Sequence, residues 1–258
     1  SMEVQQKKFD VSGFTLKMIA VVTMLIDHIG AVILEGGLAE KYNSQTLWLL
    51  DQVLRDIGRL AFPLFCFFIV EGFHYTHDRK KYALRLGIFA VLSEVPFDMA
   101  FDHTYFKPDD NSVMITLLLG LISIWVIDTL FTKSAARFSG DIKKRRICDA
   151  ISVIAVIVCV YIIEEWASSD YGAAGVVTMI IMYLMYEDKL LGFAIAVIWL
   201  GLTCGDTELI AAVDLVPLYF YHGRQGRKMK YFFYAFYPAH LLVLSLIAKA
   251  AGLWAYQM

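Results

Sequence analysis

The sequence predicts an all-α protein: a polytopic integral membrane helical bundle of about nine transmembrane helices, N-terminus cytoplasmic, folded as one domain over residues 1–258. Three observations predict it. Hydrophobic residues make up 59% of the chain before its 17 glycines are counted, and only 19% are charged; average soluble domains reach about 45–50% apolar with glycine included. With a mean hydropathy of +0.59, a soluble globule of this size could not cover its apolar surface. That excludes a water-soluble enzyme, a nucleic-acid-binding protein and a disordered chain. The apolar residues also come in continuous runs rather than the alternation of a β-barrel. Finally, a net charge of only −2 hides a separation of sign along the chain.

A spanning helix needs about 20 mostly apolar residues. The runs that qualify, some of them short, are Phe14–Leu34, Ile57–Tyr75, Tyr82–Phe101, Val113–Phe131, Cys148–Ile163, Tyr171–Tyr186, Leu190–Cys204, Glu208–Tyr221 and Tyr231–Trp254. Alternate connections are basic: Lys7-Lys8, DRKK at 78–81, KKRR at 143–146, Lys189 and HGRQGRKMK at 222–230. Lys133 and Arg137 lie in the same 132–147 loop as KKRR, and Lys17 and Arg85 sit just inside helix ends on that side, so of 23 Lys and Arg only Lys41, Arg55, Arg59, Lys107 and Lys249 fall elsewhere. Cytoplasmic loops carry the Lys/Arg excess, so the pattern sets nine spans with the N-terminus inside. Cys66 and Cys159 lie inside apolar runs and are expected to be buried thiols. The four cysteines follow no disulfide or metal-ligand spacing, and no metal is expected.

Ionisable residues inside the runs carry the functional signal, because a charge at mid-membrane costs about 2.5–3.5 kcal/mol on insertion scales. Such residues must pair with each other or face a watered cavity. In the first run Lys17 and His28 are 11 positions apart, close to three helical turns. They share a face and differ in height by about 16 Å. His28 has the side chain best suited to general base work near neutrality. Asp27 points about 100° away and is a better partner for another helix. Arg55, Arg59 and Pro63 are spaced by four and are expected on one face of the second span, where Arg59 needs a carboxylate or a ligand anion. Glu71, just before DRKK, is expected at the surface beside Arg79 or Lys80. Glu94 and Asp98, four apart, form a carboxylate pair in a dry site or meet Arg59 or Lys17. In the last run Tyr237 and His240 share a face, and His240 is a candidate second imidazole. The basic segments suit a phosphate-bearing ligand.

The stretches LKMIAVVTMLIDHIGA (16–31), IGRLAFPLFCFFIVEGF (57–73), KKYALRLGIFAVLSEVPFDMAF (80–101), TLLLGL (116–121), DYGAAGV (170–176) and KYFFYAFYPAHLLVLSLI (230–247) resemble, in order, the TraX family of membrane proteins. The family's named member is the pilin N-acetyltransferase of F-type conjugation. TraX proteins in turn resemble the transmembrane acyltransferase superfamily, in which a basic residue, ten residues and a His occur in the first helix. Lys17 and His28 match that spacing, with Lys for the commoner Arg.

The resemblance implies a multi-pass enzyme of the bacterial inner (cytoplasmic) membrane, surrounded by lipid, with His28 catalytic and acetyl-CoA as acyl donor from the cytoplasmic side. Lys17, Arg79, Lys80, Lys81 and Arg85 would then hold the CoA phosphates, and Arg59, Glu94 and Asp98 would orient His28 or the acceptor or stabilise the oxyanion, with Asp27 a further catalytic candidate. Glu71, Tyr237 and His240 are further candidates. The acceptor is left open between a protein N-terminus, a glycan and a lipid-linked group. The reading from another class is a transporter or channel for a small anion or proton-coupled solute, which the same buried charges would serve.

Overall fold

The computed structural model describes residues 10–227 and 229–255, so Lys7, Lys8 and Lys228 of the basic segments lie outside the described residues. It is helical throughout. In chain order the helices are α1 (Gly13–Ile29), α2 (Ala39–Tyr42), α3 (Gln45–Gly58), α4 (Ala61–Tyr75), α5 (Arg79–Phe101), α6 (Val113–Arg137), α7 (Ile142–Ala167), α8 (Gly172–Leu184), α9 (Lys189–Thr203), α10 (Leu215–Tyr219) and α11 (Lys230–Ala250). Gly30–Leu38, between α1 and α2, is π-helical, so one continuous rod runs from Gly13 to Tyr42.

Capping explains where the helices begin. Ser12 accepts the Thr15 N–H at α1, and Asp78, Asp141 and Asp188 accept the N–H three positions on at α5, α7 and α9. Each supplies an acceptor for a backbone donor that an N-terminal turn leaves orphaned. All four caps lie at the end of the bundle where the basic connections gather. Val11 pairs with Tyr221 and Asp10 with Arg224 there. The opposite end is built from the 103–112 loop, the 168–171 turn and the α3–α4 corner, with Asn111 paired to Ser169.

α1 packs on α3, α4 and α11, α5 packs on α6 and α11, and α8 lies against α4, α6 and α9. Small residues set the closest approaches: a side chain at Gly175 would strike Phe62 and Thr116 at 2.7 Å. α7 is peripheral. Only 6% of its apolar stretch is buried, leaving Ile151, Ile154, Val158 and Ile162 on the outside. By length and composition four helices could cross a membrane: Gly13–Tyr42, Val113–Arg137, Ile142–Ala167 and Tyr231–Ala250.

Two elements differ from the sequence reading. The 45–58 stretch, most of it outside the predicted spans, is an amphipathic helix, and it removes Arg55 from the second span. Arg55 lies on α3, Arg59 in the corner after it, and Pro63 in the first turn of α4, where its missing N–H costs nothing. The eighth run is no spanning α-helix. It is a 3₁₀-helix, Asp206–Asp214, followed by α10. Together they rise roughly 26 Å at about 2.0 and 1.5 Å per residue, carrying the chain from Glu208 at one end to Tyr221 at the other. Cys159 is exposed on α7, whereas Cys66 is buried.

Candidate functional site

A cavity of about 380 Å³ lies within the bundle between α1, α3, α4, α5, α6, α11 and the 168–171 turn. Lys17 and His28 both line it, because their 11-residue spacing sets them on one face of α1. Arg85, Tyr75 and Tyr234 line the part near Lys17; Asp27, Gly58, Asp170 and Tyr171 line the part near His28. Aromatic rings of Phe62, Phe65, Phe68 and Phe233 form much of the wall between.

At the basic end, the Lys17 ammonium lies over the rings of Phe68 and Phe233, 5.0 and 5.6 Å from their centroids. Among the described residues it has no carboxylate at ion-pair distance. Arg85 Nε is buried without a hydrogen-bond partner. Among the described residues neither cation has a carboxylate at ion-pair distance, and Arg85 bonds only the neutral Tyr234 side chain, so both can meet an anion. Arg79 is not free to do so, since it pairs with Asp128 at 2.5 Å and stacks on Phe73, and Lys81 pairs with Asp78 at 3.2 Å. Lys80 is exposed and does not line the cavity. Glu71 is not at the surface: it is 3% exposed, 2.6 Å from Lys189 Nζ, and accepts the Tyr221 hydroxyl at 3.0 Å.

At the other end, His28 meets His240 across the α1–α11 contact. His28 Nδ1 and His240 Nε2 are 2.6 Å apart and the two rings are within 5° of parallel. His240 Nδ1 is 2.6 Å from the Phe236 carbonyl. Tyr237, 4% exposed, presents its ring edge-on to His28 at 6.1 Å. Asp27 turns to α3, with Oδ1 2.8 Å from Arg55 Nη1 and Oδ2 3.9 Å from His28 Nε2. Arg59 donates to Glu208 at 2.8 Å, and the Tyr171 hydroxyl approaches the same carboxylate at 3.4 Å.

Glu94 and Asp98 do not share a site. Glu94 accepts the Ser112 hydroxyl at 2.6 Å and its N–H at 3.2 Å, holding the start of α6. Asp98 accepts the Lys107 N–H at 2.7 Å and shapes the 102–110 loop. Neither meets Arg59 or Lys17, and neither lines the cavity. In that loop Lys107 bonds Asp102, and this hydrogen bond raises the ammonium's pKa above the ordinary lysine value.

The sequence reading did not single out Asp170, Tyr171 or Glu208, and it placed Arg55 beside Arg59 on the second span rather than opposite Asp27. Asp170 sits in a turn with three left-handed residues, Ser168, Tyr171 and Gly172 at φ of 41°, 61° and 47°. The non-glycine pair is costly backbone, held by Phe62 stacked on Tyr171 at 3.8 Å and by Thr116 bonded to the Asp170 carbonyl. The Asp170 carboxylate accepts the Tyr171 N–H at 3.0 Å. Among the described residues it has no cation at ion-pair distance, while Asp27 and Glu208 each have one. The wall beside His28 therefore carries one carboxylate in excess. Among the described residues there is no cluster of three metal-ligating side chains.

A helical bundle enclosing a cavity, with cations lacking a carboxylate partner among the described residues at one end and a paired imidazole among carboxylates at the other, defines an all-helical protein with an internal polar site. The chain belongs to the TraX family, whose model, described as TraX protein, matches residues 12–248. It is 30% identical over 264 aligned residues to a probable fimbrial assembly protein FimC, serogroup H1, of Dichelobacter nodosus, covering 92% of this chain and 96% of that one. It is 26% identical to an uncharacterized protein of Rickettsia prowazekii (strain Madrid E), covering 67% of this chain and 56% of the relative. No solved structure matches it.

Proposed function

We propose that this protein is a membrane-embedded acyltransferase of the bacterial inner membrane, moving an acetyl group from acetyl-CoA at its basic, cytoplasmic end to an acceptor at the opposite end. The observation that carries the reading is that Lys17 and His28 line one cavity, about 16 Å apart along α1. That distance accommodates a pantetheine arm. Lys17 and Arg85 would hold the CoA phosphates, since both face the cavity without a carboxylate partner. The aromatic wall would enclose the arm and exclude water.

His28 is the general base. The acceptor N–H or O–H loses its proton to His28 Nε2 as its heteroatom bonds to the thioester carbon. The C–S bond breaks, and the departing thiolate takes the proton back. Arg55 holds Asp27 beside His28, and Arg59 with Glu208 fixes the corner that closes this end. The excess carboxylate of Asp170 favours an acceptor that arrives as an ammonium, which first gives one proton to water at that end and then attacks as the neutral amine. A pilin-type protein N-terminus fits that chemistry, and a fimbrial assembly protein among the relatives supports it. The apolar outer face of α7 and the one-ended basic connections support nine crossings with the N-terminus inside.

The test is thermal unfolding of the detergent-purified protein with acetyl-CoA, CoA and ATP. A ligand at 100 times its Kd stabilises by about 2.7 kcal/mol. Acetyl-CoA and CoA should raise the melting temperature and ATP should not. His28→Ala should keep that shift and lose about 10²–10⁴-fold in thiol release from acetyl-CoA. A protein that melts cooperatively and responds to none of the three would point instead to transport of a small anion or proton-coupled solute.

A further inference from the structure

We infer that His240 is a positioning residue that locks His28 in one tautomer, with the lone pair of Nε2 turned to the cavity. The inference rests on reading His28 as the base. A backbone carbonyl only accepts, so His240 Nδ1, 2.6 Å from the Phe236 oxygen, must carry a proton and donate it. A neutral imidazole has a single N–H, so His240 Nε2 is a bare acceptor. Its partner at 2.6 Å, His28 Nδ1, must then be the donor. His28 Nε2 is left unprotonated.

The near-parallel rings put that N–H and lone pair in one plane. His28 lines the cavity and His240 does not, so Nε2 of His28 is the ring nitrogen a substrate can reach. Asp27 Oδ2 approaches it at 3.9 Å. His240 is 6% exposed and held between the Phe236 ring at 4.8 Å and the edge of Tyr237 at 5.7 Å. It cannot turn over to present the other nitrogen without breaking both hydrogen bonds. When Nε2 takes the acceptor's proton, the Nδ1–H stays on His240, and the cation formed has its second N–H already satisfied. A histidine packed as a plain core residue needs no such chain, because one carbonyl satisfies it.

The experiment has two arms. In ¹⁵N-histidine-labelled protein in detergent micelles, NMR reports which nitrogen of His28 is protonated. The expected result is Nδ1 protonated and Nε2 bare in the wild type, and a mixture in His240→Leu. Nε2 protonated in the wild type overturns the inference, and this arm holds even if the variant fails to fold.

The kinetic arm follows thiol release from acetyl-CoA with a short peptide bearing a free N-terminal amine. His240→Leu should lower kcat by about 10²–10⁴-fold, with KM for acetyl-CoA and the acetyl-CoA melting shift unchanged. His240→Gln, whose amide oxygen can accept from His28 Nδ1, should restore most of the rate. Wild-type kcat in a folded His240→Leu overturns the inference. Wild-type turnover in His28→Ala would instead sink the acyltransferase reading itself.

Discussion

At the scale of single residues, the pair that spacing alone brings together, Lys17 and His28, lies on one cavity wall because helical periodicity is strictly local. Asp170, Glu208 and the partner of Arg55 were not legible, because each role depends on residues distant in the chain. Asp27 meets Arg55 only after α3 folds back on α1, and Glu208 meets Arg59 across 149 positions of chain. Glu94 and Asp98 were misread for the same reason: i,i+4 spacing gives a shared helix face and says nothing of Ser112 or Lys107. Gly58 shows how tight the α1–α3 contact is. A side chain there would lie 2.2–2.4 Å from three atoms of Asp27, its Cβ included, so no rotation of the carboxylate relieves it. Gly58→Ala should cost about 1–3 kcal/mol by overpacking, and would part Asp27 from Arg55. A melting temperature equal to the wild type would show that α3 is free to move away.

Among the elements, the long apolar runs were legible because a run of about 20 apolar residues admits little besides a spanning or fully buried helix. The 206–219 segment was not, since hydropathy cannot distinguish an α-helix from a 3₁₀-helix of similar height. α3 was missed because its amphipathic pattern is too polar to register as a span. The caps at the basic end have a measurable consequence. Asp78 accepts the Lys81 N–H and Asp141 the Lys144 N–H, and these backbone bonds hold both carboxyls below the ordinary carboxylate pKa. A group lowered on folding contributes its full stability above its unfolded pKa, about 3.9 for Asp, and loses it as pH falls through the folded value. The wild type should therefore lose melting temperature more steeply below about pH 4 than an Asp78→Asn, Asp141→Asn double variant, whose caps do not titrate. Equal slopes would mean the caps do not set acid stability.

For the molecule as a whole, the bundle has two chemically different ends joined by one cavity, and the charge pattern of the sequence already separates them. The cavity itself was out of reach of sequence, because it is the space left between six helices that meet only in the fold. In the membrane-embedded acyltransferase proposed above, the length of that cavity has an electrical consequence. The rise of about 16 Å between Lys17 and His28 is roughly half the ~30 Å thickness of a bilayer's hydrocarbon core. A potential of 100 mV is worth about 2.3 kcal/mol per charge across the full thickness. A proton delivered at His28 and carried away at the Lys17 end would feel about half, roughly 1.2 kcal/mol. Turnover in proteoliposomes should then change by up to roughly sevenfold when a potassium gradient and valinomycin impose that voltage. A rate indifferent to voltage would mean that the proton leaves by the end at which it arrived. An enzyme of this shape would work as a voltage-sensitive device, with its rate set in part by how well the membrane around it is energised.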